Sequence, residues 1–372
     1  MASNLTLVFV LVLCLQLVPR DVYGMRNAPL SSSAAESVTT QDGYILSMQR
    51  IPEGRGKVVG RKTPVLLQHG VLMDGITWLL NSPDQSLAFI LADSGFDVWI
   101  ANSRGTLWSR GHTLLGPGDP GYWDWSWDEL AAYDLPAFVQ YIYDQTDQKL
   151  NYVGHSLGTL IALVSLSQSK LLDMVNSAAL LSPIAHLGQV TSLISQAAAK
   201  AFIAELCREA VAILLKTLCK TPGANCYDLM TSFTGKNCCL NSSTVELFLD
   251  HEPQSTATRN MIHMAQMIRE GTIAMYDYGD SGENMKHYGQ PTPPIYNLSG
   301  IPNDFPLFLS YGGKDALSDV NDVQLLLDDL KSHESDKITV QYRDDYAHAD
   351  FVMGVNAKQV VYDPMIAFFK LQ

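Results

Sequence analysis

Gly154-His155-Ser156-Leu157-Gly158 lies between two apolar segments of different character. Before it, Lys149-Leu150-Asn151-Tyr152-Val153 has the length and side chains of a short buried strand; after it, Thr159 to Leu166 is an apolar run of helical pattern. Strand, G-x-S-x-G and helix in that order define a nucleophile elbow. The turn is so sharp that the positions two before and two after the serine must be small, and glycine occupies both. In return the hydroxyl stands clear of the backbone at a helix N-terminus, where the helix dipole favours developing negative charge. Stripped of such flanks, G-x-S-x-G is usually an ordinary turn. With them, Ser156 is a candidate nucleophile.

Outward from the elbow the chain alternates strand and helix. Val38 to Ile51 alternates apolar and polar residues around Asp42-Gly43, a hairpin pattern. Pro64-Val65-Leu66-Leu67 is a short buried strand running into Gln68-His69-Gly70. Leu87 to Ala92 has a helical pattern, Phe96 to Ile100 is the next strand, and Asp128 to Asp144 carries Leu130, Tyr133, Ala137, Phe138 and Tyr141 at helical spacing. This rhythm predicts an α/β fold with a mostly parallel central sheet covered on both faces. It breaks after Ser182-Pro183. From His186 to Gly300 the pattern is helical only (Val190 to Leu218, Ser243 to Phe248, Thr258 to Ile268). Alternation resumes with a strand at Pro306 to Ser310, a helix at Asp319 to Leu330, a strand at Lys337 to Tyr342 and a last helix near Val355 to Phe369. The expected organisation is a leader at 1–24, a first part of the core at 25–185, a helical cap or lid at 186–300 and a second part of the core at 301–372.

A serine hydroxyl is a weak nucleophile until a base takes its proton, and the base needs a third group to fix its tautomer. Where the serine sits in such an elbow the acid and then the histidine follow it in the chain, in loops after later strands. The strand at Pro306 to Ser310 runs into Tyr311-Gly312-Gly313-Lys314-Asp315, and that at Lys337 to Tyr342 runs into Asp344-Asp345-Tyr346-Ala347-His348. Asp315 and His348 are the expected acid and base. Asp315 could instead cap a helix, a role that suits Asp319 as well, so Asp319 is the fallback acid. The backbone N–H of Leu157, after the nucleophile, and that of Val71, in the loop after an early strand, are the expected oxyanion donors. His69 reads as a structural residue of that loop.

Composition bounds the remaining possibilities. The chain has 372 residues, 47% hydrophobic and 17% charged, enough for one large core with an insertion. A formal net charge of −13 argues against nucleic acid and against docking on anionic membranes, while leaving an uncharged ester or lipid open. Leu5 to Val18 is an almost unbroken apolar run, with Val22-Tyr23-Gly24 offering a cleavage site, and reads as a secretory signal. The run is too short to span a bilayer, and no other segment is apolar for long enough. The other five cysteines after Cys14 (Cys207, Cys219, Cys226, Cys238 and Cys239) cluster in the presumptive cap, as disulfides of a secreted protein would. A zinc site is the competing reading, although the usual C-x2-C spacing is missing. Five is odd, and the pairing stays open. Asn241-Ser242-Ser243 and Asn297-Leu298-Ser299 are candidate glycan sites.

Five quoted segments, "LLQHGVLMDGITWLLN", "SLAFILADSGFDVWIANSRGTLWSRGH", "WDWSWDELAAYDLPAFVQYI", "YVGHSLGTLIA" and "YGGKDALSD…YAHADF", resemble the acid lipase family, with its gastric, lingual, lysosomal and plant members. The resemblance runs from about Glu36 to the C-terminus. It implies an α/β-hydrolase fold, a cap and lid that open at a lipid interface, a triad on Ser156, Asp315 and His348, and oxyanion donors at Val71 and Leu157. Animal members usually carry glutamine after the nucleophile; here Leu157 stands there, and only its backbone is needed. The animal disulfide joins two cap cysteines a few residues apart. Cys226 roughly matches the first, and the second has no clear counterpart.

Some residues tempt toward other roles. Trp123, Trp125 and Trp127 alternate like a stacking ladder but precede a helix, which favours packing. Met261, Met264 and Met267 recur in the cap, more often a core pattern than a lipid contact. The expected activity is hydrolysis of acylglycerol esters at a lipid–water interface by a secreted or vacuolar/lysosomal enzyme with no metal or cofactor. Sterol-ester hydrolysis, a general carboxylesterase or acyl transfer would use the same residues. A dehalogenase or epoxide hydrolase would need a carboxylate at position 156. A non-catalytic lipid-binding protein would have no use for the triad. Oligomeric state has no signal in the chain.

Overall fold

The structure is a computed structural model that describes residues 35–56, 60–192, 195–196, 199 and 226–372. The expected leader at 1–24, Cys207, Cys219 and most of the expected helical stretch from Val190 to Leu218 lie outside the described residues. The described chain builds one nine-stranded sheet.

β1 (Ala35–Thr39) and β2 (Tyr44–Ile51) form the antiparallel hairpin that the Asp42-Gly43 turn predicts. β2 also runs antiparallel to β4 (Asp97–Asn102) and to the two-residue β5 (Gly111–His112). From β4 onward every pairing is parallel: β3 (Pro64–Gln68), β6 (Leu150–His155), β7 (Val175–Leu181), β8 (Leu307–Gly312) and β9 (Ile338–Arg343). Sequence patterning did not single out β7. Its Asn176-Ser177-Ala178-Ala179 centre is poor strand former by composition, and burial decides instead: Ser177 hides its hydroxyl against Asn151 of β6 at 2.9 Å.

The two faces of the sheet divide by strand parity, as the pleat requires. Leu66, Tyr152, Ala178, Leu180, Leu307 and Leu309 join one apolar cluster with helices α2 (Leu135–Thr146) and α3 (Leu157–Ser167). Val65, Leu67, Val153, Ala179, Leu181 and Phe308 face the other way. They pack on α1 (Leu87–Asp93) and on the C-terminal residues Val361, Met365 and Phe369. Covered on both sides, β3, β4 and β6 are buried at every residue.

Between β7 and β8 the described chain holds α4 (Cys226–Thr234), α5 (Ser242–His251), α6 (Thr258–Glu270) and α7 (Ser281–Tyr288), with no strand among the described residues. After β8 come α8 (Val320–Asp329), then β9, the one-turn α9 (Asp350–Met353) and α10 (Asp363–Phe369). Trp125 and Trp127 are fully buried, and Trp127 stacks on His263 of α6 with ring centroids 4.2 Å apart, which packs the insertion onto the core. Met267 is buried in the same cluster and Met264 packs against it. Among the described residues no helix is long and apolar enough to cross a membrane.

Candidate active site

In a parallel sheet, side chains that do chemistry collect beyond the carboxyl ends of the strands. Four loops meet there: residues 69–73 after β3, the elbow after β6, residues 313–318 after β8 and residues 344–349 after β9.

Ser156 links β6 to α3 with φ 55° and ψ −122°, a region that costs a non-glycine residue about 1–3 kcal/mol and persists only where its surroundings enforce it. The enforcement is visible in the two glycines. A Cβ on Gly154 would stand 2.7 Å from the carbonyl oxygen of Gly158, and one on Gly158 would stand 2.6 Å from that of Gln68. Strand, turn and helix therefore approach too closely for any side chain at either position. As the first residue of α3, Leu157 has an amide with no acceptor inside the helix. Gly70 touches the serine from the other side, where an added Cβ would meet Ser156 Cβ at 2.9 Å and Oγ at 3.4 Å. Val71 follows directly.

The loop bearing Val71 is pinned from several sides. Ser103 donates its amide to His69 Nε2 at 3.1 Å, which makes that nitrogen an acceptor and leaves Nδ1–H to donate to the Gly70 carbonyl at 2.8 Å. Burial lowers the His69 pKa to about 4, so the ring stays neutral in this tautomer. His69 is structural, as its position in sequence implies. Residues of the insertion hold the rest of the loop. The Asp74 amide donates to Glu252 Oε1 at 3.0 Å, and the Gln254 amide donates to the carbonyl of Leu72 at 2.8 Å.

Asp315 and His348 come together across the ends of β8 and β9. His348 Nδ1 lies 3.0 and 2.9 Å from the two carboxylate oxygens of Asp315. Asp315 Oδ1 also accepts the amides of Leu317 and Ser318 at 2.9 and 2.8 Å, which fixes the carboxylate before the histidine is considered. Asp319 does the work of a cap: its side chain accepts the Asn321 amide at 2.8 Å and starts α8. Ser156, Asp315 and His348 are only 3, 4 and 5% exposed. His348 Nε2 is buried without a hydrogen-bond partner among the described residues.

Sequence reasoning missed the residues that hold this pair. His155, the x of the motif, sends Nε2 to the backbone carbonyl of His348 at 3.0 Å, with the two rings 4.8 Å apart. Burial, with the nearby His348, lowers its pKa to about 3. The carbonyl of Thr234, at the end of α4, accepts the amides of both His348 at 3.1 Å and Ala316 at 3.2 Å. One carbonyl of the insertion thus ties the acid loop to the histidine loop. Gly235 follows with φ 93°, and any side chain there would run into the carbonyl of Lys314. Among the cysteines, Cys238 and Cys239 form a disulfide between neighbours in sequence. These two lie with Asp345 in a cluster whose spacing suits a metal ion. The disulfide ties up both sulfurs, so they are not thiolate ligands.

Comparison with known proteins places the fold and the family. Residues 32–82 match the partial alpha/beta-hydrolase lipase region, and residues 63–203 match the alpha/beta hydrolase fold. Triacylglycerol lipase 2 of Arabidopsis thaliana is 54% identical over 354 residues, covering 90% of this chain and 84% of that protein. Human gastric triacylglycerol lipase is 36% identical, covering 89% and 86%. A solved structure of a soluble variant of monoglyceride lipase from Saccharomyces cerevisiae superposes with a TM-score of 0.54 at 15% identity, covering 94% of this chain and 99% of that one, a likeness of fold. The chain belongs to the acid lipase family of α/β-hydrolases, a family of serine ester hydrolases.

Proposed function

We propose that this chain is a secretory-pathway lipase that hydrolyses the carboxylic esters of acylglycerols through an acyl-enzyme on Ser156. The observation that carries the reading is the Asp315–His348 pair beside the elbow. With Nδ1–H given to the carboxylate, Nε2 keeps a lone pair, and that atom is buried with no other hydrogen-bond partner among the described residues. Ser156 attacks the acyl carbonyl while Nε2 takes its proton. Asp315 stabilises the resulting imidazolium, and the amides of Leu157 and Val71 receive the oxyanion. Nε2 then gives the proton to the departing alcohol, and water repeats the sequence on the acyl-enzyme. The sequence of steps requires no metal or cofactor.

The acylglycerol substrate follows from the relatives, whose names include triacylglycerol lipase in both plant and animal members. The low exposure of all three residues supports reading 186–300 as a cap whose lid must move before an ester can enter. The secretory route rests on the apolar leader and on Asn241 and Asn297, both exposed, each with Oδ1 accepting from the serine two residues on. A lid makes a kinetic demand. Hydrolysis of a partly soluble triacylglycerol should accelerate as the substrate passes its solubility limit and forms an emulsion. A rate that saturates smoothly through that limit would leave a covered esterase without a lid as the better account.

A further inference from the structure

Asp350 is fully buried, two residues after His348, and its carboxylate accepts three backbone amides. Ala347, just before the histidine, donates to Oδ2 at 2.8 Å; Cys238 donates to Oδ2 at 3.1 Å and Cys239 to Oδ1 at 3.0 Å. The histidine is therefore bracketed by a carboxylate whose other partners come from the insertion. Burial pushes the Asp350 carboxyl up to about 6 in spite of those donors. A carboxylate with so little solvent depends on every amide it has.

Two successive amides converge on the two oxygens of one carboxylate only if the peptide between them holds a particular orientation. The Cys238–Cys239 disulfide closes a small ring through that peptide and restricts it. The segment is anchored on either side of the ring. Thr234 holds His348 and Ala316 upstream, while downstream the Cys239 carbonyl accepts the Val355 amide at 2.8 Å and Leu240 bridges Gly354. Opening the ring releases the middle of a strut whose ends stay attached. Cys238 is exposed and can be reached by a reagent.

We propose that Asp350 is a positioning residue for His348 and that the Cys238–Cys239 disulfide sets it, so that a dithiol which opens this bond slows the chemical step. The inference rests on His348 as the base. The reaction is thiol–disulfide exchange. A thiolate of the dithiol attacks Cys238 Sγ and Cys239 leaves as a thiolate. The second thiol of the reagent then attacks the mixed disulfide, closing the reagent's own disulfide and releasing Cys238. Two electrons pass to the protein, and the two reagent protons end on the cysteine sulfurs.

The test treats the intact folded protein with dithiothreitol and verifies by alkylation and mass spectrometry that both Cys238 and Cys239 are thiols. On a small soluble ester, kcat should fall roughly 10- to 100-fold, the scale of a misplaced catalytic group. KM should stay within about twofold, since ester binding is not what the strut supports. Reoxidation should restore the rate. The Cys238→Ser/Cys239→Ser variant should start at the low rate and ignore dithiothreitol, whereas Asp350→Asn should be slow while still oxidised. Amide exchange at Ala347, followed by NMR, reads the clamp with no turnover at all and should quicken on reduction. It therefore decides the inference even if the ester reading fails. Unchanged kcat and unchanged exchange with both thiols verified would overturn it. So would a full response to dithiothreitol in the double variant, which would trace the effect to other cysteines.

Discussion

His155 donates Nε2–H to the backbone carbonyl of His348 at 3.0 Å, so the residue before Ser156 holds the loop that carries the proposed base. The bond joins the end of β6 to the loop after β9, two segments far apart in sequence that the proposed mechanism needs within reach of each other. Burial, with His348 nearby, lowers the His155 pKa to about 3, which favours the neutral ring as the donor.

His155→Ala should therefore lower kcat by roughly 10- to 100-fold through displacement of the His348 loop. The pH–rate profile should lose height without gaining or losing an ionisation. A new inflection in the profile would mean that His155 titrates during turnover and acts as more than a support.

The choice of acid is open to a paired substitution. Asp315→Asn removes the partner of Nδ1 and should cost roughly two to four orders of magnitude in kcat. Asp319→Asn should cost little turnover, since Asp319 serves α8 through the Asn321 amide. Steady-state kinetics on both variants decides it; an equal or larger loss at Asp319 would reverse the assignment.

How much of this was legible beforehand varies with the kind of signal. The elbow, the two later strand ends and the order Ser156, Asp315, His348 are local patterns, and the structure brings Asp315 and His348 into contact. The sequence also offered Asp319 as a rival to Asp315, and only the bonds separate a cap from a carboxylate that faces a histidine. β7 was missed because its Asn-Ser-Ala-Ala centre is chosen by a crowded sheet interior and not by propensity. His155, the Thr234 carbonyl and Asp350 were invisible for a different reason. Their partners lie far along the chain or are backbone groups, and backbone acceptors leave no mark in a sequence.

Stability against pH tests the join between insertion and core. Asp128 Oδ2 accepts the Tyr276 amide at 2.9 Å and Oδ1 accepts the Tyr296 hydroxyl at 2.7 Å, with His263 Nδ1 at 3.7 Å. Burial raises the carboxyl to about 6, so between about pH 4 and 6 the folded chain holds a proton that the unfolded chain has lost. This carboxyl therefore favours folding in acid, and that advantage disappears as pH rises through 6. Relative to wild type, Asp128→Asn should gain Tm steadily from pH 4 to 6 and level off above. A difference in Tm that is flat across this window, or that runs the other way, would show Asp128 ionised throughout.

Gly70→Ala tests how closely the Val71 loop presses on the nucleophile. The new methyl would lie 2.9 Å from Ser156 Cβ, so either the loop or the serine must give way. The variant should remain folded by circular dichroism and lose at least about tenfold in kcat, as a displaced nucleophile or oxyanion donor would cost. Full activity would mean that this loop is not part of the reacting centre.

The central claim is an acyl-enzyme on Ser156, and covalent labelling reads it most directly. A fluorophosphonate should modify the native protein once, on the peptide containing Ser156, and abolish ester hydrolysis in proportion to labelling. Ser156→Ala should take up no label and retain under about 1% of turnover while folding normally, since the lost oxygen sits on a turn and the nucleophile has no substitute. Label on another residue, or an alanine variant that still hydrolyses esters at a substantial fraction of the wild-type rate, would contradict the account.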